Sequence, residues 1–351
     1  MNTFNSYQYT TSTIHDLTGT PNDCVSSVRF SSSGCPYVLL GVTSWDKSCR
    51  IWQVTHDADG ANVRTQPMSL AESDAPILDF SFSNDGRVFW GGCNKTATMW
   101  NLVTNQKVVV ASHDLPISCI THVNSGAGLE MLITGSWDGK LRFWDLRQQR
   151  PAKEENLVEP IFALDAQRTF PMAACVTGRK IHVFDLQNLV KTTEVKPPAL
   201  VKFNLRCVAC SPQHDGVAVG SSEGRVSFVP FQQEPGCTFK AHITIEDNVQ
   251  FMHQTNFCVI NPRAPHILTG GGDGRLAFWD YKKRSSIGHI DCDPKIENRN
   301  KSISAGDVSA DGTLVAFARS YDWAMGKGGC IPGESHTIHI RSAYYKPTGV
   351  R

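Results

Sequence analysis

The chain has 351 residues, 34 Lys and Arg against 33 Asp and Glu, a net charge of +1 and a pI near 7.6. That balance gives no global field that calls for nucleic acid or an anionic membrane. No apolar run approaches the roughly 18 residues of a membrane helix, and no basic-then-apolar leader opens the chain. The twelve cysteines form no paired framework, so a reducing compartment, cytosol or nucleus, is expected.

Residues 1–20 form an arm rich in Ser, Thr and Tyr ahead of the first repeat. Within it, Tyr7-Gln8-Tyr9-Thr10 reads either as an outer strand closing the last sheet or as part of a disordered arm. From residue 21 to 346 one pattern returns seven times: two apolar residues separated by one, then an anchor. Cys49 and Ile51 precede Trp52, Ala97 and Met99 precede Trp100, and Leu141 and Phe143 precede Trp144. Ile181 and Val183 precede Phe184, and Val226 and Phe228 precede Val229. Leu276 and Phe278 precede Trp279, and Ile338 and Ile340 precede Arg341. Residues 347–351 are left as a tail.

The alternation has the period of a half-buried strand. The anchors lie 48, 44, 40, 45, 50 and 62 residues apart, around the period of about 40–45 of a four-stranded propeller blade. Strand-and-turn signals precede the anchors, as in Phe80-Ser81-Phe82-Ser83-Asn84-Asp85-Gly86, Cys207 to Pro212 and Val308 to Gly312. No useful helical period appears. The expected fold is all-β, a single seven-bladed propeller whose blades bury their faces against one another.

Thr134-Gly135-Ser136-Trp137-Asp138-Gly139-Lys140-Leu141-Arg142-Phe143-Trp144-Asp145 is nearly copied in Thr269 to Asp280. An Asp-Gly turn running into a strand that ends in Trp-Asp resembles the WD-repeat signature. That resemblance implies a buried hydrogen-bonded set in the third blade, His113, Thr134, Asp138 and Trp144, and another in the sixth, His242, Thr269, Asp273 and Trp279. Elsewhere the set is degenerate, with Asn94, Gly178 and Glu223 at the Asp position.

Catalytic patterns are missing. There is no Gly-x-Ser-x-Gly elbow and no phosphate loop, and Gly326-Lys327-Gly328-Gly329 lacks a strand-to-helix context. Cys207-x-x-Cys210 would point its thiols to opposite faces of a strand, with no second pair to complete a zinc site. No enzyme activity, cofactor or metal is expected.

Ala318 to Gly328, with Ser320-Tyr321-Asp322-Trp323 at its centre, opens a long insertion before Thr337-Ile338-His339-Ile340-Arg341. Cys93 to Leu102, Ser112 to Ile117 and Gly220 to Val226 fit the same ordered set. Over roughly residues 20 to 346 the chain resembles the Rae/Gle family of nuclear-pore mRNA-export WD-repeat proteins. The close alternative is the Bub-type spindle-checkpoint propeller, which shares Glu223-Gly224-Arg225-Val226 and a Lys-Lys-Arg after the sixth Trp-Asp. The resemblance implies an adaptor at the nuclear pore and envelope, partly cytoplasmic. Its implied partners are a GLFG-type nucleoporin, held through a GLEBS-like segment, and mRNA export factors; checkpoint kinases are the alternative partners. Near-neutral charge and Ile243, where the family tends to carry Arg, depart from the pattern and point to weak or indirect RNA contact. The stretch from Ile243 to Asn256 is also polar and divergent.

In a propeller the loops before the first strand and between the second and third strands open on one face. The Ser-Trp-Asp turns set Trp45 and Trp137 there, either as blade caps or as contact residues. Tyr321 and Trp323 are expected on the same rim. Lys282, Lys283 and Arg284 are read as its cationic edge, the plainer reading being a solvated charge run. Together these suit an acidic-hydrophobic segment that orders on binding.

Overall fold

The alternating apolar positions fold as sheets because one face of each strand must leave water. The computed structural model describes residues 14–343 apart from 59, 61, 125–129, 168–171, 233, 292–301 and 332. Among them are seven four-stranded antiparallel sheets and one separate hairpin. Blade 1 is Val25–Phe30, Val38–Ser44, Ser48–Thr55 and Arg64–Glu72. Blade 2 is Ile77–Phe82, Val88–Gly92, Thr96–Trp100 and Lys107–Ser112. Blade 3 is Ile117–Asn124, Glu130–Ser136, Lys140–Trp144 and Lys153–Asn156. Blade 4 is Ile161–Gln167, Met172–Thr177, Lys180–Asp185 and Val190–Val195. Blade 5 is Leu205–Cys210, Gly216–Ser221, Arg225–Pro230 and Cys237–Lys240. Blade 6 is Thr255–Ile260, His266–Gly271, Arg275–Asp280 and Ser285–Asp291. Blade 7 takes Ile303–Val308, Leu314–Arg319 and Thr337–Ser342, with His15–Asp16 from the other end of the chain as its fourth strand.

The fold is therefore an all-β seven-bladed propeller. No α-helix occurs among the described residues, and one 3-10 turn, Gly326–Gly329, lies in the blade 7 insertion. Every anchor falls in the third strand of its blade and is buried, including Val229 and Arg341. Met99 alone among the paired apolar positions is only partly buried.

The core lies at the seams. Seven apolar clusters each join two adjacent blades, for example Ile51 and Cys49 of blade 1 with Phe80, Trp90 and Trp100 of blade 2. Burying a side chain such as Phe80 contributes about 1.5–3 kcal/mol. Glycines in the second strands let the next blade approach. A Cβ at Gly91 would lie 2.5 Å from Ile117, and one at Gly135 would lie 2.9 Å from Ile161. Carboxylates join neighbouring first strands: Asp79 accepts the Ile120 N–H at 3.0 Å, Asp165 that of Cys210 at 2.7 Å and Asp307 that of Phe30 at 2.8 Å. Cys207 packs in the blade 5–6 seam and Cys210 in the blade 4–5 seam, on opposite sheet faces.

The N-terminal segment closes the ring, through His15–Asp16. His15 pairs with Ile340 and Asp16 with His339, and the His339 Nδ1 lies 2.7 Å from Asp16 Oδ1. Leu17 then packs into the blade 7–1 seam, and the Thr18 carbonyl accepts the Trp52 indole N–H at 3.1 Å. Residues 7–10, the sequence candidate for that strand, lie outside the described residues.

Candidate partner-binding face

The turns between second and third strands are built to present their middle residue. In blade 3 the Ser136 hydroxyl donates to the Leu115 carbonyl and accepts the Asp138 N–H, each at 3.1 Å. Asp138 also accepts the N–H groups of Asp114 and Lys140 at 3.1 and 2.9 Å. Beneath it, His113 Nδ1 lies 3.0 Å from Asp138 Oδ2, His113 Nε2 lies 2.8 Å from Thr134 Oγ1, and Trp144 Nε1 donates to Thr134 Oγ1 at 2.9 Å. Burial holds the His113 imidazole below its ordinary value despite the nearby Asp138. A neutral ring then donates from Nδ1 to the carboxylate and accepts the Thr134 proton at Nε2. Burial opposes Asp138 ionisation, but the Lys140 N–H and the other partners outweigh it and keep the carboxyl below its usual range.

Blade 6 repeats only part of this arrangement. His242 lies 2.8 Å from Asp273 and 3.0 Å from Thr269. The Trp279 indole N–H is buried without a hydrogen-bond partner among the described residues, and its ring stacks on Phe239 at 4.7 Å. The sixth set is thus three residues, because stacking rather than the threonine hydroxyl sets the indole's position. In blade 5, Glu223 takes the turn Asp's capping role and accepts the Lys202 N–H at 2.6 Å.

The rigid turns leave Trp45 and Trp137 40% and 38% exposed on one face. Their own N–H groups are pinned to the Cys24 and Pro116 carbonyls at 3.0 and 3.1 Å. Trp323 lies on the same face, in the loop between the second and third strands of blade 7, and is 47% exposed. Its φ of 59° is a left-handed conformation that a bulky side chain adopts only when its surroundings impose it. Asp322 helps impose it, accepting from Asn256 Nδ2 at 3.0 Å and from the Ala324 N–H at 3.1 Å.

Two assignments made from the sequence change here. Tyr321 is not an exposed contact residue. It is 5% exposed, its hydroxyl donates to the Gly326 carbonyl at 2.8 Å, and its ring lies 5.6 Å from that of Trp323. Lys282, Lys283 and Arg284 do not edge this face. They follow the third strand of blade 6, which runs away from it, and so lie on the opposite face. There Lys282 pairs with Asp215, Lys283 lies 3.7 Å from Asp280 and Arg284 donates to the Pro235 carbonyl at 2.9 Å.

The first face has a further element that no sequence motif announces. In the polar stretch after blade 5, Ile243–Glu246 and Val249–Met252 form a hairpin. Asp247 and Asn248 turn at φ of 48° and 62°, the left-handed pair of a tight two-residue hairpin. Ile245, Val249, Phe251 and Met252 are all exposed on it. Leu115, Val158, Leu200 and Phe203, in the loops leading into blades 3, 4 and 5, are exposed on the same face. On the opposite face the exposed large apolar side chains outside the strands are, among the described residues, Ile14, Tyr37 and Val103. The two faces differ in kind: one is aromatic and apolar, the other carries the basic run.

The sequence matches the WD domain, G-beta repeat family over residues 11–53 and 105–145. It is 32% identical over 340 residues to Protein Rae1 of Drosophila melanogaster, covering 94% of each chain. It is 31% identical over 332 residues to the mRNA export factor GLE2 of Chaetomium thermophilum, covering 91% of this chain and 89% of the relative. To the Poly(A)+ RNA export protein of Schizosaccharomyces pombe it is 30% identical, over 91% of this chain and 90% of the relative. Among solved structures it superposes on that of U3-55K with a TM-score of 0.72, over 94% of this chain and 98% of that one, at 14% identity. At that identity the likeness is one of fold alone.

Proposed function

This chain belongs to the Rae1/Gle2 family of WD-repeat mRNA export factors, and from that premise we propose that it is a non-catalytic adaptor of the nuclear pore. In this reading it docks a GLEBS-like linear segment of a nucleoporin on its apolar face and so holds export factors at the pore. What supports the reading is one asymmetry: the exposed aromatic and apolar loop residues, Trp45, Trp137, Trp323 and the 243–252 hairpin, gather on a single face. Scattered apolar surface residues are ordinary, but a one-sided set rich in Trp is the composition of an interaction site.

The chemistry of the segment follows from the face. Its apolar side chains bury against the indoles and the hairpin, and ordering on binding suits a disordered partner. Acidic residues in the segment are not recognised by Arg284, which is on the other side of the ring. RNA contact is weak, because the chain is nearly neutral; such contact falls steeply with salt.

The test is calorimetric titration with a purified GLEBS-like nucleoporin segment. Trp137→Ala or Trp323→Ala should weaken binding by at least about 2 kcal/mol, roughly 30-fold, with the melting temperature unchanged. Arg284→Glu should bind like the parent. Binding that survives both Trp truncations but is lost with Arg284→Glu would move the site to the opposite face and overturn this reading.

A further inference from the structure

Three donor side chains converge where blade 7 meets blade 1. Asp23 and Cys24 lead into the first strand of blade 1, and His336 leads into the third strand of blade 7. One donor atom from each lies within 4.8 Å of the others. Their backbones are fixed. The Ser44 hydroxyl donates to the Asp23 carbonyl at 3.0 Å, and the Cys24 carbonyl accepts the Trp45 N–H at 3.0 Å. Ser320 Oγ accepts the Val25 N–H at 3.0 Å and lies 2.9 Å from His336 Nδ1. Ser320 thereby occupies one ring nitrogen and leaves Nε2 for a ligand. Glu334 and Asp46 act electrostatically on the same imidazole as Asp23 does. One Glu334 carboxylate oxygen is buried without a hydrogen-bond partner among the described residues. Asp46 already pairs with Arg50 at 3.4 Å; a cation would complement the Asp23 and Glu334 carboxylates.

We propose that Asp23, Cys24 and His336 Nε2 bind one zinc ion, with the fourth position held by water or by Glu334. The donor set decides the metal: a thiolate, an imidazole and a carboxylate suit zinc, whereas magnesium and calcium take oxygen alone. Zinc–ligand bonds of about 2.0–2.3 Å place tetrahedral donors roughly 3.4–3.6 Å apart. Metal binding would draw the donors in from their present spacing of up to 4.8 Å. Ser320 acts as the outer partner that orients a metal-bound histidine. Binding releases the Cys24 proton to solvent and involves no redox change. The ion would tie the blade 7 insertion to blade 1 and stiffen Trp323, whose side chain reaches the Cys24 thiol. No short-range motif announces such a site, because its donors come from opposite ends of the sequence.

The experiment uses the full chain, stripped with a chelator and titrated with cobalt(II), then with zinc. One equivalent of cobalt should give a thiolate-to-cobalt charge-transfer band and tetrahedral visible bands, both displaced by zinc. Cys24→Ser should abolish the charge-transfer band, and His336→Ala should weaken binding beyond about 100-fold. Ser320→Ala should cost about 10–100-fold, as outer-shell partners do. With twelve cysteines in the chain, Cys330→Ser in the same insertion is the control that keeps the band. Metal-free melts hold the variants to the parent fold, and should Cys24→Ser melt early, His336→Ala serves as the deciding variant. A stripped parent without a stoichiometric cobalt band, or ligand variants that keep it, would overturn the proposal.

Discussion

Replacing Thr134 by Val should destabilise the protein more than replacing Thr269 by Val, although the two sit at equivalent positions of blades 3 and 6. Both threonines are fully buried. Thr134 serves two partners, accepting the Trp144 N–H at 2.9 Å and meeting His113 Nε2 at 2.8 Å. Thr269 serves His242 at 3.0 Å and donates to the Ala277 carbonyl at 3.4 Å, while the Trp279 N–H has no partner among the described residues. Valine keeps the shape and removes the hydroxyl, so the loss is polar rather than a cavity. An orphaned buried donor or acceptor costs about 1–3 kcal/mol. Thr134→Val leaves two such groups and should cost about 3–4 kcal/mol; Thr269→Val leaves the imidazole and should cost about 1–2 kcal/mol. The assay is equilibrium urea unfolding at fixed m-value, arranged as double-mutant cycles with Trp144→Phe and Trp279→Phe. The blade 3 cycle should return a coupling of about 1–2 kcal/mol and the blade 6 cycle close to none. Equal couplings would refute the assignment of the Trp144 N–H to Thr134.

The pH dependence of stability should carry two opposing contributions. Burial first, then Lys191 and Lys180, hold the His182 imidazole down to about 4 against an ordinary 6.5, with Glu194 pulling the other way. Between those values the unfolded chain takes up a proton that the folded protein refuses, so acid removes about 3 kcal/mol, and His182→Gln should abolish that loss in melts from pH 7 to pH 4. Asp307 is pushed up to about 6, chiefly by burial; its contribution is present in acid and lost as pH rises from 3.8 toward that value. Asp307→Asn, which keeps an acceptor for the Phe30 N–H, should therefore steepen the acid loss, and an unchanged profile would contradict the assignment. Leu17, buried at the closing seam, should cost about 2–5 kcal/mol when cut to Ala; a loss within the range of a surface substitution in chemical denaturation would show that the N-terminal strand does not close the ring.

Much of this architecture is local and therefore readable in the chain. The two-residue alternation before Trp52, Trp144 and Arg341 follows from a strand having one wet and one buried side. The recurrence of anchors follows from each blade needing a neighbour to cover it. The blade 3 network is legible too, since His113, Thr134, Asp138 and Trp144 sit at fixed offsets from one tight turn. Other features depend on where the chain has travelled. Lys282 to Arg284 follow an outgoing strand, so chain direction carries them to the face opposite Trp137. Tyr321 and Trp323 look alike in sequence, but a left-handed backbone at Trp323 turns one outward while the other packs beneath it. Trp279 copies Trp144, yet the neighbouring Phe239 sets its ring and leaves the N–H alone. The ring closes through His15–Asp16, where two residues carry too little pattern to be recognised before Ile340 is beside them. Cys24 and His336 meet for the same reason: closure is a long-range event, and only packing at the blade 7–1 seam brings donor atoms from the two ends of the sequence within 4.8 Å of each other.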